Sequence, residues 1–158
     1  MTDSQVSASP SEQTPRAVAI LGTGIMGAPM AGRLAAAGHR VRAWNRTPDK
    51  LGPLKQAGVE AASSPVAAAR GADMVIVMLS AGPVRDEILL GDDGVIATMS
   101  PGSSLIVMSS IPVDTARHQA EVAGRYDVGY LDAPVSGGER GAIDGTLAIM
   151  AGGEADPF

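Results

Sequence analysis

The chain contains no cysteine among its 158 residues, which excludes disulfide bonds, thiolate metal ligands and cysteine nucleophiles. Histidine is scarce too, because His39 and His118 are the only imidazoles available for metal or base chemistry, and we predict no metal site. No apolar run approaches the roughly 20 residues that a membrane-spanning helix needs. We therefore expect a cytoplasmic protein that has no membrane partner.

Positive charge is also in short supply. Twelve Lys and Arg residues face seventeen Asp and Glu residues, and the net charge of -5 argues against a nucleic-acid partner. Residues 1–15 are rich in Ser, Thr, Gln and Pro and lack the basic start and apolar run of a secretory signal, so we predict a disordered tail. The remaining length suits one domain, over residues 16–158.

Short aliphatic runs alternate with alanine-rich amphipathic segments along this domain. The alternation predicts parallel strands joined by crossover helices, hence a doubly wound α/β fold with a mostly parallel sheet and helices on both faces. The run AVAIL at 17–21 is apolar throughout, which indicates a strand buried on both sides. Further strands are predicted at 39–44, 59–62, 73–80, 103–110, 128–134 and 146–153, and helices at 25–38, 48–58, 64–72, 82–90 and 113–124.

The sequence GTGIMG follows the first predicted strand and opens the first predicted helix. In this G-x-G-x-x-G pattern Gly22 permits a tight turn, Gly24 lets a pyrophosphate approach the backbone, and Gly27 lets the helix pack on the strand. Free N–H groups at the helix start would bind the anion. We predict a Rossmann-type dinucleotide site, the alternative being a turn that serves packing alone, at Gly22, Thr23, Gly24, Ile25, Met26 and Gly27.

The end of the second predicted strand bears on the choice of dinucleotide. NAD-selective sites usually present Asp or Glu there, whereas this chain has Asn45, Arg46 and Thr47. Asn45 does not repel an added phosphate, the Arg46 guanidinium can pair with a 2′-phosphate, and the Thr47 hydroxyl can donate a hydrogen bond. We therefore favour NADP(H) over NAD(H). The alternative is that Arg46 is a solvated loop cation and Asn45 a turn former.

Several separate motifs, taken together, resemble those of the β-hydroxyacid dehydrogenases. They are ILGTGIMGAPMAGRLAAAGHRVRAWNRT at 20–47, DMVIVMLS at 73–80, VMSSI at 107–111 and DAPVSGGERGAIDGTLAIMAGG at 132–153. The resemblance extends from about residue 16 to residue 153 and implies hydride transfer between a nicotinamide and a small 3-hydroxy acid or its semialdehyde. Departures from the family pattern, at Ser80, Val107 and Pro112, concern local loop geometry.

The resemblance also implies roles for residues beyond the first glycine loop. It assigns the substrate carboxylate to Ser136, Gly137 and Gly138, where a hydroxyl beside two unhindered N–H groups would form an anion nest. It places Leu79 and Ser80 along the dinucleotide and Ser110 at the nicotinamide. The alternatives are a glycine hairpin for the first group and ordinary loop or cap residues for the others.

In the family a lysine acts as general acid, and the resemblance places it beyond residue 158, together with an all-helical second domain that forms most of the subunit interface. Lys50 and Lys55 are the chain's two lysines, and both follow the second strand on the adenosine side. We therefore assign no catalytic residue. We expect a chain that binds cofactor but turns over poorly by itself, and a parent enzyme that is a homo-oligomer.

Two other functions remain open at this point. One is a non-catalytic dinucleotide-binding module. The other is the cofactor half of an imine reductase, whose glycine loop and NRT motif are similar. The DAPVSGG motif at 132–138 argues against the latter, because an imine has no carboxylate to hold.

Overall fold

The computed structural model describes residues 14–80 and 82–154. The predicted tail lies outside the described residues except for residues 14 and 15, as do residues 155–158 of the predicted domain. The strands of the described ranges are β1 (Ala17–Leu21), β2 (Arg40–Trp44), β3 (Glu60–Ala61), β4 (Met74–Val77), β5 (Ser104–Val107), β6 (Gly129–Asp132), β7 (Val135–Ser136), β8 (Ala148–Ile149) and β9 (Gly152–Gly153). The helices are α1 (Gly27–Ala36), α2 (Gly52–Gln56), α3 (Pro65–Ala69), α4 (Pro83–Leu90), α5 (Val95–Thr98), α6 (Val113–Gly124) and α7 (Gly138–Asp144).

Seven of these strands form one sheet in the order β3-β2-β1-β4-β5-β6-β9. Neighbours pair in parallel except β9, which runs antiparallel to β6 at the edge. The chain builds outward from β1 to β3, crosses back to β4, and then builds outward to β6. The doubly wound, mostly parallel Rossmann-type sheet predicted from the sequence is confirmed, and its order reverses between β1 and β4.

Helices cover both faces of the sheet. Because side chains alternate along a strand, β1 sends Val18 and Ile20 to one face and Ala19 and Leu21 to the other, and all four are buried. The first face packs against residues of α1 and α2, and the second against residues of α3, α4, α5 and α6. This two-sided burial is the reason that AVAIL reads as a continuous apolar run.

The helix predicted at 64–72 begins as its sequence indicates. Ser64 is the N-cap residue of α3, and its hydroxyl oxygen accepts a hydrogen bond from the Ala67 amide at 3.0 Å. The segment 48–58 is less regular, since a 3₁₀ turn at Pro48–Leu51 precedes the short helix α2. The four-residue helix α5 has no counterpart among the predicted elements.

The single strand predicted at 146–153 is wrong. β8 pairs with β7 in a separate two-stranded sheet, whereas β9 joins the edge of the large sheet. The glycine-rich segment before it, for which no helix is predicted, contains helix α7, and Gly145 follows the last residue of this helix in the left-handed conformation (φ +70°). Within residues 14–80 and 82–154, no helix is long and apolar enough to cross a bilayer.

Candidate dinucleotide-binding cleft

The first glycine loop lies where the sheet order reverses. β1 ends at Leu21 and the chain turns at Gly22, whose φ of +99° suits glycine and whose amide donates to the Trp44 carbonyl oxygen at 2.8 Å. A Cβ at Gly22 would lie 2.7 Å from the Met78 carbonyl oxygen, and one at Gly27 would overlap the carbonyl oxygen of Gly22. The tight turn and the close helix packing predicted for these two glycines are therefore both present.

The middle of this loop is open to a ligand. A Cβ added at Gly24 would meet no atom within 4 Å, so this glycine is not required by packing inside the chain. Within the described residues, the amides of Gly24, Ile25 and Met26 have no hydrogen-bond acceptor, and they precede the ten-residue helix α1. Unpaired N–H groups at a helix start bind anions, and the loop thus fits the pyrophosphate of a dinucleotide.

Asn45 fixes the shape of the loop from the neighbouring strand. Its side-chain oxygen accepts a hydrogen bond from the Thr23 amide at 3.0 Å, and its side-chain nitrogen donates to the Thr47 carbonyl oxygen at 3.1 Å. The Thr23 amide is therefore occupied within the chain. The Thr23 hydroxyl is buried and has no partner among the described residues.

A cleft of about 360 Å³ extends from the glycine loop along the carboxyl ends of the strands. Arg46 and Thr47 are exposed at its border, as is Ser80. The Ser109 hydroxyl donates to the Leu79 carbonyl oxygen at 2.6 Å, which ties the ends of β5 and β4 together. Seven of the residues predicted to bind cofactor line this cleft, namely Gly22, Gly24, Asn45, Arg46, Thr47, Leu79 and Ser80.

Other residues of the cleft were not predicted to bind cofactor. Lys50 lies on the 3₁₀ turn that begins at Pro48, and it lines the same cleft as Arg46. Trp44, at the end of β2, is half-buried and lines the cleft as well. The opposite wall is the start of α4, and a helix directly after β4 is the one signal that could have indicated it.

A buried polar cluster supports this wall. The Arg85 side chain is 2% exposed and its Nη2 donates to Asp86 Oδ1 at 2.9 Å, while its Nη1 has no partner among the described residues. Gln119 donates to the same Asp86 oxygen at 3.3 Å and accepts from the Tyr130 hydroxyl at 2.9 Å. Burial raises the pKa of Tyr130 well above its usual value, the nearby Asp132 raises it further, and Arg85 lowers it.

The remaining predicted residues do not line the cleft. Four of them belong to the glycine loop and the start of α1, and Ser110 is exposed after β5. The predicted substrate residues form a separate loop. The residues outside the cleft are Thr23, Ile25, Met26, Gly27, Ser110, Ser136, Gly137 and Gly138.

The second glycine loop connects β7 to α7. Ser136 ends β7, and the two glycines that follow have φ values of +134° and +60°. Ser136, Gly137 and Gly138 are exposed, and within the described residues the amides of both glycines lack an acceptor. A hydroxyl next to two free amides is the composition that an anion nest requires. Leu147 lies behind the loop, 3.1 Å from the position that a Cβ of Gly137 would take.

The reversed strand order, the glycine turn and the open helix start together define a Rossmann dinucleotide-binding domain. The family model for the NAD-binding domain of 6-phosphogluconate dehydrogenase matches residues 17–158, and the chain belongs to this family.

Similar proteins with named activities are hydroxyacid dehydrogenases and reductases. The chain is 43% identical over 141 residues to 3-hydroxyisobutyrate dehydrogenase of Pseudomonas aeruginosa, covering 89% of this chain and 47% of that protein. It is 40% identical over 141 residues to 2-hydroxy-3-oxopropionate reductase of Escherichia coli, covering 87% and 47%. The structure of Mycobacterium tuberculosis 3-hydroxyisobutyrate dehydrogenase with L-serine superposes with a TM-score of 0.82 at 38% identity, covering 91% and 48%. The chain thus spans about half the length of these relatives.

Proposed function

We propose that the chain is the NADP(H)-binding half of an oxidoreductase that transfers hydride between the nicotinamide and a small 3-hydroxy acid or its semialdehyde. The observation that carries the proposal is the cleft itself, which Gly24 of the glycine loop lines together with the cations Arg46 and Lys50. The free amides of Gly24, Ile25 and Met26 lie at the start of α1, at the glycine-loop end of this cleft. The amides would hold the pyrophosphate, and the nicotinamide would supply the hydride. The named activities of the relatives support the substrate class.

The preference for NADP(H) rests on charge at the adenosine end. Arg46 and Lys50 both line the cleft, and no carboxylate is among the residues that line it in the described part of the chain. A 2′-phosphate would gain charge-assisted hydrogen bonds there. If the 2′-phosphate is absent, as in NAD(H), no acidic residue among those lining the described cleft accepts hydrogen bonds from the ribose hydroxyl groups. Both effects favour the phosphorylated cofactor.

Fluorescence of Trp44 offers a direct test, because it is the only tryptophan of the chain and it borders the cleft. Titration with NADPH and with NADH should show tighter binding of NADPH. Arg46→Ala should weaken NADPH binding about tenfold to hundredfold, the range expected for a lost hydrogen bond to a charged group, and should change NADH binding little. Arg40→Ala is the matched control, since Arg40 is exposed at the opposite end of β2. Equal affinities for the two cofactors would refute the preference for NADP(H) but not dinucleotide binding itself.

The substrate site in this proposal is the second loop, where Ser136, Gly137 and Gly138 would hold the substrate carboxylate. We also propose that the tail over 1–15 precedes a single domain, and that the protein is cytoplasmic and binds neither nucleic acid nor membranes. Subunit assembly of the parent enzyme through a further domain belongs to the same proposal.

Turnover by this chain alone should be poor. Lys50 lines the cleft with Arg46 after β2, and Lys55 lies on α2 just beyond it. Both lysines therefore belong to the proposed adenosine side, away from the strand ends where the nicotinamide is expected to bind. A missing general acid costs about 10²- to 10⁴-fold in rate. The turnover rate is measured from the loss of NADPH absorbance when a small semialdehyde, or in a second assay an imine, is added as the substrate to be reduced. Rapid lysine-independent turnover would contradict the proposal, and turnover of the imine alone would favour an imine reductase.

A further inference from the structure

Arg33 connects the cofactor helix to the substrate loop. It lies on α1, which begins at the phosphate-binding loop, and its Nη1 donates to the carbonyl oxygen of Ile143 on α7 at 3.1 Å. The guanidinium also lies directly against Gly145, since a Cβ added there would overlap it. Contacts between α1 and α7 thus include a hydrogen bond that joins residues 110 positions apart in the sequence.

Helix α7 buries two small residues, Gly141 and Ala142, within the described part of the chain. It is seven residues long, and helices of this length are marginal without tertiary support. Ile143 supplies one of the terminal carbonyl groups that a helix leaves unpaired, and a cation at a helix C-terminus interacts favourably with the helix dipole. Arg140, on α7 itself, instead pairs with Asp144 of the same helix at 2.6 Å. Arg33 is therefore the arginine that ties α7 to another element.

We propose that Arg33 is a positioning residue, which anchors α7 on the cofactor helix and thereby keeps the Gly137 and Gly138 amides aimed at a substrate carboxylate. The inference rests on the proposed function for the role of those amides. Gly145 contributes to the same interaction, because the absence of a Cβ there leaves room for the Arg33 guanidinium. The anchored end of α7 is the last turn, and its first turn carries the substrate loop.

Hydrogen exchange of the full chain tests the anchoring. The Gly141 amide bonds to the Gly137 carbonyl and the Thr146 amide to that of Gly141, so both report on α7. Arg33→Met should speed their exchange about tenfold while amides of β1 and β4 keep their rates. Arg140→Met is the control, because it removes a cation from α7 without touching α1. Equal acceleration by the two substitutions, or acceleration throughout the chain, would overturn the proposal. Arg33→Lys should recover part of the protection, since an ammonium can reach one carbonyl group.

Gly145→Ala provides a second route to the same interaction. The new Cβ would displace the guanidinium, and a φ of +70° adds strain. Gly71→Ala is matched to it, because Gly71 has the same φ of +70° and open space around its Cβ. If the α7 amides exchange faster in the Gly145 variant than in the Gly71 variant, the result supports anchoring by Arg33. Equal exchange rates of the α7 amides in the two variants would count against it.

Carboxylate binding separates this inference from the function on which it rests. With NADPH present, 3-hydroxypropionate is titrated while the Gly137 and Gly138 amides are followed by NMR. Arg33→Met should weaken the response about fivefold and leave NADPH affinity unchanged, because the phosphate loop is held by β1 and β2. No response in the unsubstituted chain would overturn the carboxylate assignment. A response that Arg33→Met leaves unchanged would overturn only the positioning role.

Discussion

The two glycine loops of this chain differ in what holds them. The first is wedged into the sheet, where Gly22 and Gly27 leave no room for a Cβ against backbone atoms. The second is exposed, and the nearest atom to a Cβ added at Gly137 is Cδ2 at the flexible end of the Leu147 side chain, while backbone atoms lie at 3.5 Å or more. Backbone atoms of a sheet cannot shift without cost, whereas the end of a leucine side chain can.

This difference indicates which of the two loops takes its shape from the central sheet. The shape of the phosphate loop follows from packing within β1, β2 and β4, so cofactor binding depends on the central sheet. The shape of the second loop follows from positive φ values and from contacts of α7 with α1. Substitutions should therefore act on the first loop through sterics and on the second through backbone conformation.

The largest effect is expected for Gly27→Ala. Its Cβ would overlap the Gly22 carbonyl oxygen, both groups belong to the backbone, and the start of α1 must move. We expect a loss of about 3 kcal/mol or more in the free energy of unfolding, measured by urea denaturation, and loss of NADPH binding. Gly32→Ala on the same helix is the control, where a Cβ would meet its nearest atom at 4.0 Å and should stabilise by about 0.5–1 kcal/mol. Similar stabilities of the two variants would show that the loop is not wedged.

A smaller loss, about 2 kcal/mol, is expected for Gly137→Ala. A φ of +134° is rarely open to residues with a Cβ, and such backbone strain costs about 1–3 kcal/mol. Leu147 can rotate away from the new methyl group, so sterics should add little. Gly38→Ala is the matched comparison, because Gly38 has a φ of +91° and nothing within 4 Å of its Cβ. An unfolding free energy far below that of the Gly38 variant would mean that the second loop is as tightly packed as the first.

These features differ in how far the sequence predicts them. The alternation of apolar runs and the G-x-G-x-x-G spacing are local patterns, and they predict the sheet, the first loop and the roles of Gly22 and Gly27. Helix α7 is not predicted, because three glycines within Gly138–Gly145 mask a short helix that α1 stabilises. Lys50 lines the cleft from a 3₁₀ turn, and Arg85 is buried by neighbouring elements. Local composition predicts neither of these.

Tyr130→Phe tests the support beneath the strand that leads to the second loop. The substitution leaves the fully buried Gln119 oxygen without its donor, at a cost of about 1–1.5 kcal/mol at neutral pH. Because burial raises the pKa of Tyr130 in the folded state, its stabilising contribution is complete below the unfolded pKa of about 10 and is lost as pH rises above it. Denaturation between pH 9 and 11 should therefore show stability falling more steeply in the unsubstituted chain than in the variant. Parallel pH dependence would mean that Tyr130 titrates normally.

Gly24→Ala should have the smallest effect on stability and the clearest effect on binding. No atom lies within 4 Å of the added Cβ, and the backbone of Gly24 does not require a positive φ, so the free energy of unfolding should change by less than about 0.5 kcal/mol. The same methyl group would occupy the space through which a pyrophosphate approaches the free amides, and NADPH should bind about tenfold or more weakly. Gly124→Ala, equally open but at the end of α6, should leave the affinity unchanged. If Gly24→Ala bound NADPH as tightly as the unsubstituted chain, the pyrophosphate could not lie against this loop, and the openness of Gly24 would need another cause.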